Sequence, residues 1–90
     1  MSDARGDYLY LAKITVTTRK SILDPQGKAV HHALASLGME GIVDVRIGKF
    51  IEMKIDTKTT HSAEEITREA CKKLLANPVM EDFAFSVEKV

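Results

Sequence analysis

Apolar and polar positions alternate in three stretches of the chain and recur with a helical period in two others. In YLYLAKITVTT (residues 8–18), Tyr8, Tyr10, Ala12, Ile14 and Val16 form one row, and Lys13, Thr15 and Thr17 fall between them. A period of two with β-branched and aromatic residues predicts a strand. Leu9 and Leu11 break the polar row, so the first half of this strand is expected to be covered on both faces. In IVDVRIGKFIEMKID (42–56), Val43, Val45 and Ile47 alternate with Asp44 and Arg46, and Ile51, Met53 and Ile55 alternate with Glu52, Lys54 and Asp56. Gly48-Lys49 suits a two-residue hairpin turn with glycine first. The parity is the same before and after it, so one long bent strand is the alternative. Residues 83–89 alternate again, Phe83, Phe85 and Val87 against Ala84, Ser86 and Glu88.

The helical period appears first after SILDPQG. Val30, Ala33, Leu34 and Leu37 stand at i, i+3, i+4 and i+7, which is one helix face. Asp24 is a residue type that caps a helix by accepting from an early backbone N–H. Pro25 fits the first helical position, where its missing N–H is not needed. Gly38 suits a left-handed end, so a helix is predicted over 25–37. Gly27 is out of place in that helix, where it costs about 1 kcal/mol against alanine. In THSAEEITREACKKLLANP, Ile66, Ala70 and Leu74 form a stripe with Ala63, Cys71 and Leu75 beside it. Ser62 and Glu65 have capping-box spacing, Lys72 and Lys73 complement the C-terminal end of the helix dipole, and Asn77-Pro78 stops the helix.

The order of elements is β-α-β-β-α-β, the split βαβ arrangement. The expected fold class is therefore α+β and ferredoxin-like, a four-stranded antiparallel sheet with two helices on one face. The other face would carry Lys13, Thr15, Thr17, Asp44, Arg46, Glu52, Lys54, Ser86 and Glu88. Residues 1–7 read as a flexible polar head and residues 8–90 as a single domain.

Composition narrows the functional classes. The chain has 90 residues with 13 Lys and Arg against 13 Asp and Glu. A net charge of zero leaves no footprint for nucleic acid, where affinity rests on excess positive charge, or for an anionic membrane. No run approaches the roughly 20 apolar residues of a membrane span. The N-terminus lacks the apolar core of a secretory signal and Cys71 is the only cysteine, so a cytoplasmic protein is expected.

Candidate chemistry is sparse. His31 and His32 are adjacent on a helix and diverge by about 100°, a poor geometry for holding one metal. Cys71 has no CxxC partner and reads as a packed thiol. Glu64-Glu65 and Glu81-Asp82 read as caps and solvated charges. A lone Gly48-Lys49 lacks the longer glycine pattern of a phosphate loop. An RNA-binding module shares the element order, but it needs aromatic residues on the open sheet face, and here the Tyr and Phe rows are the apolar ones.

Three stretches together carry a resemblance. Leu23-Asp24-Pro25-Gln26-Gly27 with Ala29-Val30 and Leu37-Gly38, then Val45-Arg46-Ile47-Gly48-Lys49, then Leu74-Leu75-Ala76-Asn77-Pro78-Val79-Met80-Glu81-Asp82-Phe83 resemble, in order and spacing, the PurS family, the small subunit of phosphoribosylformylglycinamidine synthase. The match runs from about residue 10 to the C-terminus. Met80, Phe83 and Phe85 vary a tail that often reads NPVIEDYEIE in that family.

The resemblance implies a chain with no catalytic residues and no cofactor of its own. Its partners would be the glutaminase and synthetase subunits of one complex in purine biosynthesis, with ATP and Mg2+ used by the synthetase. The chain would bridge the two subunits and assist ammonia transfer, and would itself form a homodimer or tetramer. The physical logic is that ammonia is largely protonated in neutral water, and a sheltered passage keeps it nucleophilic and close.

On that basis three partner-binding surfaces are expected: Asp24, Pro25, Gln26 and Gly27 at the first helix start; Arg46, Gly48 and Lys49 at the hairpin tip; and Asn77 and Pro78 after the second helix. Gly27 would let a partner's backbone approach the helix, the alternative being that it relieves a crowded turn. A small-molecule-sensing regulatory domain on the same architecture is the competing function, weakened because the glycine lies inside the helix start rather than in the loop before it.

Overall fold

A computed structural model describes residues 8–90; the expected N-terminal head, 1–7, lies outside the described residues. The chain order is β1 (Leu9–Thr18), α1 (Pro25–Ser36), β2 (Gly48–Asp56), α2 (Thr60–Ala70), a π-helical turn (Cys71–Leu75) and β3 (Glu81–Lys89). The strands form one antiparallel sheet in the order β2-β1-β3. The α+β class therefore holds, with three strands among the described residues where four were expected.

The missing strand is residues 42–47. They alternate as a strand should, yet pair with no strand. Gly48 starts β2 and faces Thr17 of β1, so Gly48-Lys49 is not a hairpin turn, and Arg46 is not at a hairpin tip. An added β-carbon at Gly48 would press into the Val16 carbonyl, so the edge between β1 and β2 closes only over glycine. The alternation reports which residues share a face. It does not report whether another strand lies alongside.

The apolar row of β1 is the core. Tyr10, Ala12, Ile14 and Val16 are buried, joined by Ile55, Ala63, Cys71 and Ala76, with Ile51, Met53, Leu75, Phe83, Phe85 and Val87 packed half-buried around them. Register explains the grouping: Ile14 lies between Ile51 and Phe85, and Ala12 between Met53 and Val87, so all side chains of these rows point to one face. On the opposite face Lys13 pairs with Glu88 at 3.3 Å, and Phe50 is exposed.

One helix, not two, covers that core. α2 is capped by Thr59, whose hydroxyl accepts from the Ser62 N–H at 3.0 Å. Ser62 therefore lies inside the helix and is not its cap; its hydroxyl bonds Thr57 at 2.7 Å. The buried line is Ala63, Thr67 and Cys71, at i, i+4 and i+8, while Ile66 is 44% and Leu74 82% exposed. Small side chains let the helix lie close to β1 and β3, and the Thr67 hydroxyl donates to the Ala63 carbonyl at 2.8 Å, so no polar atom is stranded there. Arg68 stacks over the Phe85 ring at 5.4 Å.

α1 lies on no strand. Of its twelve residues only Gly27 is buried, and its predicted face is left open, with Leu37 76% exposed. Its ends are as expected: Asp24 caps it, Pro25 opens it, and Gly38 at φ +83° closes it. The Gly38 N–H donates to Ala35 and the Met39 N–H to Leu34, the five-to-two and six-to-one bonds of a Schellman end. After it, residues 42–47 run back along the helix. The chain spans 51 Å in its longest direction with a radius of gyration of 17.3 Å, against about 12 Å for a compact chain of this length.

Candidate functional site

The three motif stretches meet at one end of the sheet, where β1 finishes and β2 and β3 begin. Thr17 is opposite Gly48, and Thr18 is opposite Glu81. Their meeting place is a cleft of about 330 Å³ lined by Thr18, Asp24, Gln26, Ile47, Gly48, Lys49 and Glu81. Four of the nine sequence-predicted residues, Asp24, Gln26, Gly48 and Lys49, line it.

Asp24 is the junction. One carboxylate oxygen accepts from the Gly27 N–H at 3.0 Å and the other from the Ile47 N–H at 2.9 Å. The same side chain thus caps α1 and ties the 42–47 segment to it across 23 positions of sequence. The Ile47 bond, then the Gly27 bond, hold its carboxyl below the ordinary value of 3.8, and the Arg46 charge acts in the same sense. Further along, His31 Nε2 lies 2.6 Å from the Ile42 carbonyl. A carbonyl only accepts, so this nitrogen carries the proton.

Gly27 is explained by this crossing. An added β-carbon would press into the Val45 carbonyl oxygen and the Asp24 carboxylate. The backbone that approaches the helix start is the chain's own, so the expectation that Gly27 makes room for a partner's backbone is replaced by the crowded-turn alternative. Pro25 and Gln26 are exposed beside it.

Arg46 faces a second cleft of about 330 Å³, with Lys20, Lys28, Asp24 and Asp44 among its lining residues. Asn77 and Pro78 stand beside the first cleft without lining it. The Asn77 side-chain oxygen accepts from the Val79 and Met80 N–H groups at 2.9 and 3.2 Å, and Glu81 accepts from the Asn77 N–H at 2.7 Å. Arg19 secures this turn from the far side, donating to the Pro78 carbonyl at 2.6 Å and pairing with Asp82 at 3.3 Å. Sequence reasoning missed Arg19, Thr18 and Glu81. Arg19 is 59 positions from Pro78, and no local pattern joins the two.

The side chains of Gln26 and Lys49 make no hydrogen bond or ion pair with the described residues, and both are exposed. They offer a donor–acceptor pair and a cation to whatever lies over the cleft. Among the described residues no group of three or more His, Cys, Asp or Glu could hold a metal, and no helix is long and apolar enough to cross a membrane. Burial raises the Cys71 thiol above its ordinary range, which keeps it protonated.

These features define a small α+β domain that displays its characteristic motifs as a surface at one end of its sheet. A family model described as PurS, phosphoribosylformylglycinamidine (FGAM) synthase, matches residues 11–89. The chain belongs to the PurS family. It is 45% identical over 82 residues to the phosphoribosylformylglycinamidine synthase subunit PurS of Bacillus subtilis, covering 91% of this chain and 96% of that one. A solved structure of B. subtilis PurS superimposes with a TM-score of 0.79 at 46% identity, covering 88% of this chain and 98% of the other. A chain in a structure of PurLQS from Thermotoga maritima gives a TM-score of 0.81 at 29% identity, covering 89% and 98%.

Proposed function

We propose that this chain is the small, non-catalytic subunit of a phosphoribosylformylglycinamidine synthase in purine biosynthesis, bridging the glutaminase and synthetase subunits. The observation that carries the reading is the convergence of the family's three motif stretches on one cleft, with Gln26 and Lys49 left unengaged there. It is supported by the likeness to PurS of the T. maritima PurLQS structure. ATP and Mg2+ are then used by the synthetase subunit, and this chain carries no cofactor. Bridging keeps the ammonia released by the glutaminase out of bulk water, where it would be protonated and diluted. The chain works as a homodimer or tetramer in the cytoplasm, and its unpacked α1 face supports self-association.

Reconstitution tests the reading. The chain is mixed with the synthetase and glutaminase subunits from its own source, ATP, Mg2+ and substrate. Product is then followed from glutamine and from ammonium salt. Glutamine-driven synthesis is expected to require the chain while ammonium-driven synthesis does not. If neither reaction responds to the chain, the bridging role is wrong.

A further inference from the structure

The cleft beside Arg46 shares Asp24 with the motif cleft and none of its other residues. Three cations from separate parts of the chain line it: Lys20 from the loop before α1, Lys28 from the first turn of α1, and Arg46 from the 42–47 segment. None of the three makes an ion pair or a side-chain hydrogen bond with the described residues, whereas Lys13, Arg19, Arg68 and Lys73 each have an acidic partner. Two carboxylates line the same cleft, and they are not equivalent. Asp24 is engaged within the fold, one oxygen by the Gly27 N–H and the other by the Ile47 N–H. Asp44 is exposed and has no partner among the described residues. The Gly27 and Lys28 N–H groups both bond Asp24, so the cations, and not the helix end, give the cleft its sign.

Free cations gathered around one concavity repel each other and attract an anion. A phosphate monoester suits them, with a charge of about −1.5 to −2 at neutral pH and three strong acceptor oxygens. Asp44 decides what the phosphate is attached to. A free carboxylate at the rim repels a second anion but accepts from a neutral donor, and a sugar hydroxyl is one. An acidic peptide would bring single charges and set them against Asp44. The volume of about 330 Å³ lies at the small end of ligand pockets, about 300–1,000 Å³, so the ligand is a small one. We propose that this cleft binds a sugar monophosphate, with Lys20, Lys28 and Arg46 holding the phosphate and Asp44 accepting from a sugar hydroxyl. Ser21, exposed in the same lining with its hydroxyl unengaged by the described residues, adds a donor. The proposal concerns the chain alone and does not rest on the bridging role.

Ribose 5-phosphate is the probe, titrated into the isotope-labelled chain at physiological ionic strength and followed by amide signals and calorimetry. Saturable shifts are expected at residues 20–24, 28 and 44–46, with a dissociation constant of about 1 mM or below. Ribose gives no such shifts, and inorganic phosphate binds about tenfold more weakly, because it leaves Asp44 without a donor. Lys28→Ala and Arg46→Ala each weaken ribose 5-phosphate by about tenfold. Asp44→Ala separates the two halves of the ligand: it weakens ribose 5-phosphate and tightens inorganic phosphate. All three side chains are exposed, so the variants keep the fold, and circular dichroism checks this. The absence of saturable shifts at these residues overturns the proposal. So does unchanged affinity in both the Lys28 and Arg46 variants, which would place the anion elsewhere. Equal affinity for ribose 5-phosphate and inorganic phosphate, or an Asp44→Ala effect of the same sign on both, would reduce the cleft to a bare anion site and overturns it too. Reconstitution with the partner subunits is measured in separate mixtures, so the bridging role and this site stand or fall independently.

Discussion

The carbonyl oxygen of Val45 occupies the space that a β-carbon at Gly27 would need. The helix start and the segment before β2 touch backbone to backbone, and Asp24 binds both N–H groups on either side of the contact.

Gly27→Ala is therefore expected to loosen the crossing. Alanine gains about 1 kcal/mol of helix propensity, but overpacking against a backbone atom costs about 1–3 kcal/mol, and a carbonyl held by its neighbours cannot swing aside like a side-chain tip. The Ile47 amide, protected by Asp24 in the wild type, should exchange with solvent faster by about tenfold. Unchanged protection of Ile47, with a melting temperature equal to or above the wild type, would show that the close approach is not a constraint.

Asp24 sets a pH limit on the same crossing. Its carboxyl is lowered in the folded chain, so the carboxylate contributes stability that is fully present above its unfolded value and is lost as pH falls through the lowered folded value. The amide signals of Gly27 and Ile47 should titrate together with a midpoint below 3.8. Asp24→Asn removes the titration and leaves one side-chain acceptor for two donors. Amide signals that titrate separately would contradict a shared carboxylate.

Asn77 closes the turn into β3 by accepting from two N–H groups. Asn77→Ala leaves both exposed to water, so the expected loss is about 1 kcal/mol, with the core melting as one unit. A turn of undiminished stability by chemical denaturation would mean that Arg19 and Glu81 hold it without the Asn77 side chain.

Cys71 is buried in the π-helical turn with its thiol raised by desolvation. A thiol reagent at neutral pH should modify it only as fast as the chain opens, and denaturant should abolish that protection. Immediate modification of the native chain would place the sulfur at the surface.

Gln26→Ala and Lys49→Ala test the cleft as a partner surface. Both side chains are exposed and unengaged among the described residues, so each change should alter stability by no more than about 0.5 kcal/mol. Assembly with the partner subunits is expected to weaken by about 1 kcal/mol or more. Wild-type affinity in both variants would move the contact elsewhere on the molecule.

Much of the architecture was legible because it is local. Asp24, Pro25 and Gly38 bound α1 as their chemistry requires, and the period-two row of β1 became the core. In α2 the pattern misled. Ile66 and Leu74 are larger than Ala63 and Thr67, yet the small residues are the buried ones, because depth of burial depends on how closely the sheet lies beneath the helix. Thr59 rather than Ser62 became the cap for a related reason: both have the right hydroxyl, and the fold chose where the helix begins.

What the sequence determined by itself was the type and order of its elements and the motif stretches that carry the resemblance. Both are written in runs of a few residues, where backbone sterics and side-chain period decide the outcome. Only the tertiary structure decided that 42–47 lies along α1 instead of in the sheet, that Gly27 serves this crossing, and that the three motifs share one end of the sheet with Arg19 and Glu81. Those are contacts between residues far apart in the chain. They depend on where whole elements come to rest, and no short run of sequence records that.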